Sequence, residues 1–572
     1  MENEPDQRPG ISWLLLGCLA LVAFIAGAFG YREHFAAISG NYNAPLTDLL
    51  YSAFCLFALN FEGDHTTPKP FLLELARWLA PLVVSAGAFQ LLHSVIREQQ
   101  HAYRIRRLRG HYIVCGDHAG AEILARQLSA EGKPVILVGA LASQPEGEAG
   151  KKDRLLHLPQ NPDLAGVLER ARLSRAKCLI TAMQDDRRNV AITITALGLC
   201  ADLDLTLEIF THVGDSGFRD LLQRNELLAN QEGARVQLRA FSHYQNLARS
   251  IWAGVPLEVL NGTGRPAASV HVVLPHLSQT GVALAIQTAR LGHYRNMLPV
   301  SVHAVAVNAE MEVAELKHLY PGIVHCCRME AHGLRSALEF AQEVTRIASV
   351  AGANASVAVF TSFENAQDGL RQAMMVAELL PAHPGLRLFL APEQQSMAQK
   401  LARQFPNLAF GVLPGEGDTF GVDAVLRYGF DQVARRIHDA WLAEERLAFE
   451  ANPQRKVKAT FEPWAELTEQ QKDASRSQAE HIPVKLRAAG LSVESAPDSW
   501  PAVIADSALV EQLAEMEHNR WCADKWLDNW SYAADRSDER KEHPDLVPYE
   551  QLSEAVKQYD RDTILKLSRY LS

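Results

Sequence analysis

The 572-residue chain is longer than one hydrophobic core usually organises, so three or more structural units are expected. Its formal net charge of -11 argues against a nucleic-acid partner, which needs a clustered basic footprint. The eight cysteines form no CxxC pair and the histidines no HExxH or zinc-type spacing, which points to free thiols in a reducing compartment and to no metal site.

The N-terminal hundred residues carry nearly all the long apolar runs. Ile11 to Tyr31 carries no charge and is long enough to cross a bilayer as a helix. It lacks the basic n-region of a signal peptide, and a second apolar stretch follows at Phe71 to Val95. There Glu74 and Arg77 sit only near the start, where charges reach the interface. Arg97, Arg104, Arg106, Arg107 and Arg109 come next, and by the positive-inside rule they mark that end as cytoplasmic. Two spans then give a multi-pass protein of the inner (plasma) membrane with both termini in the cytoplasm.

Between the spans, Leu46 to Asp64 has an apolar core too short to cross and reads as a re-entrant or interfacial segment. The order span, short helix, polar turn, span resembles the pore module of two-span potassium channels. The pore helix would be Thr47 to Phe57, and Gly63-Asp64 match the Gly-Asp that ends the family's filter. Where that family has TVGYG, this chain has Ala58-Leu59-Asn60-Phe61-Glu62-Gly63. The resemblance implies a pore lined by Asn60, Phe61, Glu62, Gly63 and Asp64, in which copies of Glu62 form an acidic ring that attracts cations. Selectivity should differ from that of a strict potassium filter. Two helices per chain cannot enclose a conduction path, so a homotetramer is expected.

After the arginines, a strand at Tyr112 to Cys115, a glycine-containing turn, an amphipathic helix and a strand at Pro134 to Val138 begin a βαβ unit. AKCLITAMQDDRRNVAITITALGL adds a strand, a polar turn Gln184-Asp185-Asp186 and a helix, and a last strand starts at Leu205. Strands alternating with helices imply a parallel, doubly wound sheet. The arrangement resembles the Rossmann-type lobe of RCK (TrkA-N) domains over roughly Arg109 to Val213. In that family GxGxxG cradles a dinucleotide pyrophosphate. Its counterpart here is Gly116-Asp117-His118-Ala119-Gly120-Ala121, so Gly116, Asp117, His118 and Gly120 form the candidate nucleotide turn. His118 and Ala121 replace two glycines, and Gly139 stands where an acidic residue would hold a ribose, so a structural lobe is expected rather than an NAD site.

The pattern recurs. Strands at Ser269, Ser301 to Val307, Ser356 to Phe360 and Leu386 to Leu390 parallel the first four, with the glycine fingerprint replaced by Pro275-His276-Leu277-Ser278-Gln279-Thr280-Gly281. Four chains of two lobes would supply eight, the number in the gating rings of the RCK channels it resembles.

From Gly421 the chain turns to amphipathic helical sequence, including a helix containing Trp464 and the segment Ala479 to Leu491. The remainder resembles the RyR domain through His518, Trp521, Trp530, Tyr532, Lys541, His543, Pro544, Leu546, Pro548 and Tyr549, with Asn529 and Ala533 in place of glycines. Aromatic faces stack purines, and cations hold phosphates. The candidate ligand residues are therefore Arg520, Trp521, Lys525, Trp526, Trp530, Tyr532, Arg540, Lys541, His543 and Tyr549. The alternative is that the tryptophans are the core of a small helical domain. Glu515, Glu517 and His518 lack a nucleophile or metal partner, so no catalytic residue is assigned.

The expected architecture is multi-domain. It comprises an α-helical membrane pore module (1–100), two α/β Rossmann-like lobes (101–260 and 261–420), a helical connector (421–500) and a mainly α-helical RyR domain (501–572). The expected function is a ligand-gated cation channel, not an enzyme, in which a nucleotide or cyclic nucleotide binds the RyR/RCK assembly. Its partners are the lipid bilayer, the permeant ion, the nucleotide-like ligand and three further copies of itself, with no nucleic acid. The alternative is a non-conducting, membrane-anchored nucleotide sensor that acts through protein partners.

Overall fold

The computed structural model describes residues 13–39, 44–62, 66–139, 155–163, 165–201, 205–224, 235–261, 264–335, 339–363, 365–427, 431–454 and 460–570, and these fall into two compact units.

The first unit holds three helices, Trp13–Ser39 (α1), Leu46–Cys55 (α2) and Phe71–Arg107 (α3). The short helix expected between the spans is present, extended by a 3-10 turn at Leu56–Ala58 and ended by Leu59 at φ 60°. The second span is longer than its apolar stretch suggests. Its 37 residues continue to Arg107, and Arg104, Arg106 and Arg107 form a basic last turn suited to a helix C-terminus. Helices α1 and α3 meet at small residues: a Cβ on Gly30 would lie 2.5 Å from the Leu73 nitrogen. Among the described residues, Trp13–Ile38 and Phe71–His93 are long and apolar enough to cross a bilayer. Leu14, Phe71, Trp78 and Phe89 each leave more than two thirds of their surface exposed, a burden that lipid or further subunits would relieve.

The second unit contains two parallel sheets. The first is built from His111–Gly116 (β1), Val135–Val138 (β2), Leu155–Leu158 (β3), Ala176–Ala182 (β4), Thr206–His212 (β5) and Arg235–Phe241 (β6), in the order β3-β2-β1-β4-β5-β6. The second is built from Val270–Leu274 (β7), Val300–Ala306 (β8), Cys327–Gly333 (β9), Ser356–Phe360 (β10), Leu386–Leu390 (β11) and Ala409–Val412 (β12). Its order, β12-β11-β10-β7-β8-β9, is the first order read from the other edge. Both have the doubly wound Rossmann arrangement, which switches direction between the first and fourth strands. Each sheet therefore has six strands rather than the four expected, and β5 is not the last of its lobe.

The chain then returns to its starting lobe. Phe420, Val422 and Val425 pack into the first core with Val114, Leu124 and Phe241. Helices Asp431–Ala451 and Glu469–Ala488 follow. Trp464 lies in a single 3-10 turn, Trp464–Glu466, rather than in a full helix, because the next helix begins only at the Thr468–Gln471 capping box. The C-terminal region packs helices Ala496–Ala505 and Glu554–Lys566 against the central helix Ser507–Leu527, beside a two-residue ladder between Ser531–Tyr532 (β13) and Glu542–His543 (β14). Asp506 caps that central helix by accepting from the Ala508 and Leu509 N–H groups.

Candidate functional site

In the first unit, the left-handed Leu59 reverses the chain so that the Asn60 N–H reaches the Cys55 carbonyl at 3.0 Å. Glu62 then folds back on α2. Ser52 donates to its Oε2 at 2.8 Å, Cys55 Sγ lies 3.8 Å from Oε1, and the Glu62 N–H donates to the Tyr31 hydroxyl at 3.1 Å. Phe61 stacks on Tyr31, with ring centroids 5.9 Å apart, and Arg77 lies 5.0 Å from its ring. A carboxylate at membrane depth is expensive unless partnered, and α2 supplies the partners. Asn60 is exposed, Phe61 and Glu62 are half-buried, and Gly63 and Asp64 lie outside the described residues.

The glycine turn of the first lobe is filled by the chain itself. The His118 ring accepts from the Gly120 N–H at 3.1 Å and meets Phe420 at 4.8 Å between centroids. A Cβ on Gly120 would lie 2.5 Å from the Phe420 ring, which also faces His243 at 4.6 Å and His212 at 5.5 Å. Burial, and then the proximity of His118, holds His243 down to about 3, so this ring is neutral. Asp117 is committed to the Gln184 N–H at 3.0 Å and to Arg188 at 3.1 Å. At the end of β2, Gly139 has φ 149°, and a Cβ there would lie 1.9 Å from the Gly116 carbonyl oxygen. An acidic side chain for a ribose has no room at this position. The residues present do not fit a dinucleotide.

The ten candidate ligand residues are divided by the helix Ser507–Leu527. Arg520, Trp521 and Lys525 turn toward a cavity of about 180 Å³ shared by both lobes, the helix Glu469–Ala488 and the C-terminal region. Its charges are balanced. Arg520 donates to Glu517 at 2.7 Å, to Ser477 at 3.1 Å and to Asp524, while Arg290 pairs with Asp524 at 3.3 Å. Tyr320 of the second lobe donates to Asp220 of the first at 3.3 Å. Burial opposes the charge of Glu517, but Arg520 and Lys485, the latter 2.5 Å away, outweigh it and take Glu517 down to about 2. The helix Glu469–Ala488 joins these parts, since Arg249 of the first lobe and Gln287 of the second both reach Glu480, at 2.9 and 2.7 Å.

Trp526, Trp530 and Tyr532 instead line a groove of about 930 Å³ between the C-terminal region and the second lobe. Its far wall is His293 to Pro299 and His318 to Cys326. The two walls are in direct contact, because a Cβ on Gly322 would lie 2.2 Å from the Trp526 carbonyl oxygen. The His325 and Trp526 rings lie 5.0 Å apart. Tyr532 is 61% exposed and so remains open to a ligand. Asn529, standing in for a glycine, holds φ 62° at the turn that presents Trp530. Lys525 lies 4.3 Å over the Trp530 ring.

The other candidates line neither cavity. Arg540 pairs with Glu542 at 2.9 Å, and Lys541 with Asp528 at 2.8 Å. His543 abuts the Trp521 edge, and Tyr549 donates to Glu511 at 3.1 Å. The groove's second-lobe wall was missed from sequence, and the histidines at 293, 318 and 325 were its only compositional mark.

Comparison with known proteins agrees with these parts. Residues 112–230 match the TrkA-N domain model and residues 505–572 the RyR domain model. Among curated proteins, Probable potassium channel protein 2 of Methanocaldococcus jannaschii is 26% identical over 174 residues, covering 28% of this chain and 50% of that protein. Potassium channel protein 1 of the same organism is 27% identical over 161 residues, covering 26% and 47%. The chain thus spans about half the length of the curated relatives it matches. Among solved structures, the GsuK channel bound to NAD aligns at 13% identity with a TM-score of 0.26, covering 63% of this chain and 79% of that one, a score too low to support any inference. The chain therefore carries a TrkA-N (RCK-type) domain and an RyR domain on one polypeptide and is similar, over part of its length, to potassium channel proteins.

Proposed function

We propose that the chain is the subunit of a homotetrameric, ligand-gated cation channel of the inner membrane, with both termini cytoplasmic and no enzymatic activity. Its ligand is nucleotide-like, with the base inserted in the groove between the second lobe and the RyR domain. The observation that carries this reading is the groove itself: about 930 Å³ with three aromatic side chains on one wall. That volume lies at the upper end of the usual range for small-molecule sites, about 300–1,000 Å³. The 180 Å³ junction cavity is too small for a nucleotide, and its arginines are already paired with carboxylates.

Of the predicted phosphate-binding cations none lines the groove, although Lys525, on the wall of the junction cavity, reaches over the Trp530 ring. The aromatic wall thus supplies most of the recognition. A ligand that bridges Trp530 and the second-lobe wall would fix the angle between them. The helix Glu469–Ala488, joined to both lobes, would pass that change on. Shifting a channel from mostly shut to mostly open takes about 5 kcal/mol, a little over 1 kcal/mol per subunit. One stacked base contributes about 1–3 kcal/mol.

The test is calorimetric titration of the purified protein with mono-, di- and cyclic nucleotides. One of them should bind, and Trp526→Ala and Trp530→Ala should each weaken it by about 5-fold to 100-fold. Undiminished binding by both variants would move the ligand out of the groove.

A further inference from the structure

The second lobe brings together a set of side chains that the ligand groove does not use. His303 of β8 stands opposite Glu330 of β9, and His332 follows two residues later on the same face of β9. His303 Nδ1 lies 3.0 Å from His332 Nε2 and 3.4 Å from Glu330 Oε2, while His332 Nε2 lies 3.8 Å from the same oxygen. A point equidistant from these three atoms lies about 2.0 Å from each, the length of a zinc–nitrogen or zinc–oxygen bond.

The outer contacts fit the same reading. A ligating imidazole commonly donates its other N–H to a carboxylate or a similar acceptor. The far nitrogen of His332, Nδ1, lies 2.7 Å from Glu343 Oε1 on the helix Glu339–Ala351. The far nitrogen of His303, Nε2, lies 3.0 Å from His271 Nδ1, and His271 Nε2 lies 3.0 Å from Ser269 Oγ. One tautomer set satisfies every contact: His303 donates to His271, His271 to Ser269, and His332 to Glu343. Both inner nitrogens then present lone pairs to the same point. Without an ion, one of those nitrogens must carry a proton to bond the other. Arg346, 3.1 Å from His332 Nδ1, pairs with Glu343 Oε1 at 2.6 Å and so fixes the carboxylate that accepts from His332. His303 is 3% exposed, whereas the Glu330 side chain is 48% exposed, so the outer side is open to water as a fourth ligand.

The geometry points to a zinc-type divalent cation site at the β8–β9 edge of the second sheet, with His303, Glu330 and His332 as ligands. Sequence spacing hides it, because the donors lie on separate strands and only register brings them together.

The experiment uses the full chain in detergent with any affinity tag removed, titrated with Zn²⁺ against a chromophoric chelator and, separately, with Co²⁺ by visible absorption. One ion per chain with a tetrahedral cobalt spectrum is expected. His303→Ala and His332→Ala should abolish both signals. Glu343→Gln leaves every ligand in place and should weaken binding by about 10-fold to 100-fold. Glu330→Gln, at the exposed rim, should weaken it without unfolding the lobe. Absence of zinc binding by the wild type, or unchanged affinity in Glu330→Gln and Glu343→Gln, would overturn the site. Displacement of cobalt by millimolar calcium would overturn the zinc-type assignment.

Discussion

Phe420 packs against His118 with ring centroids 4.8 Å apart, so the chain comes back after building its second sheet to seal the glycine turn of its first. The crevice that receives a dinucleotide in Rossmann sheets is here part of the core. Phe420 is 2% exposed and ties the end of the second lobe to the centre of the first.

Phe420→Ala should therefore cost about 3–5 kcal/mol, the usual penalty for emptying a buried aromatic site. The check is denaturant unfolding followed by the near-UV signal. NAD should leave the wild-type midpoint unchanged, and an NAD-dependent rise would show that the turn still binds dinucleotide. Gly139→Asp should destabilise the protein rather than create a ribose site, because its Cβ would meet the Gly116 carbonyl oxygen.

Glu517→Gln should destabilise the body by about 3–5 kcal/mol, since Lys485 and Arg520 would remain buried without their shared carboxylate. The same group sets an acid limit. Its carboxyl lies at about 2 when folded, against an ordinary value of 4.5. Because the folded value is depressed, the stabilisation is fully present above about pH 4.5 and is lost as pH falls toward 2. That loss is about 3 kcal/mol. Thermal melting across pH 7 to 2 should fall more steeply for the wild type than for the variant, and parallel curves would contradict the assignment.

Gly30→Val should break the close approach of α1 and α3, because a Cβ at Gly30 would lie 2.5 Å from the Leu73 backbone nitrogen. Small residues let membrane helices pack backbone to backbone. The expected outcome is loss of the assembled oligomer in size-exclusion chromatography, with Gly87→Val, where nothing lies within 4 Å, as the tolerated control.

The four central strands of each lobe were legible in the sequence because they are near-continuous apolar runs, such as Ile113-Val114-Cys115 and Ser356 to Phe360, buried on both faces. The strands missed were β3, β6, β9 and β12, which are the four sheet edges. An edge strand is paired on one side only and carries polar residues outward, as Arg328 and Glu330 do on β9. Its sequence therefore reads as loop. The aromatic wall of the groove, where the ligand is proposed to bind, was legible in Trp526, Trp530 and Tyr532. The predicted cations do not line the groove, because the burial of the Arg520–Glu517 pair with Lys485 and the reach of Lys541 to Asp528 are set by tertiary packing. The role of Phe420 and the β8–β9 histidines depend on contacts between distant parts of the chain, which no spacing rule reports.

The central claim is conduction under ligand control, and ion flux from proteoliposomes tests it most directly. Wild type and Glu62→Gln would be compared in K⁺, Na⁺ and Cl⁻ gradients with and without the nucleotide that binds. The account predicts cation flux that appears or stops with the nucleotide, and a changed ion preference in Glu62→Gln, whose charge is removed while its contacts to Ser52 and Tyr31 can persist. A folded tetramer that binds the nucleotide yet passes no ion in either state would contradict it, and the chain would then be a membrane-anchored sensor.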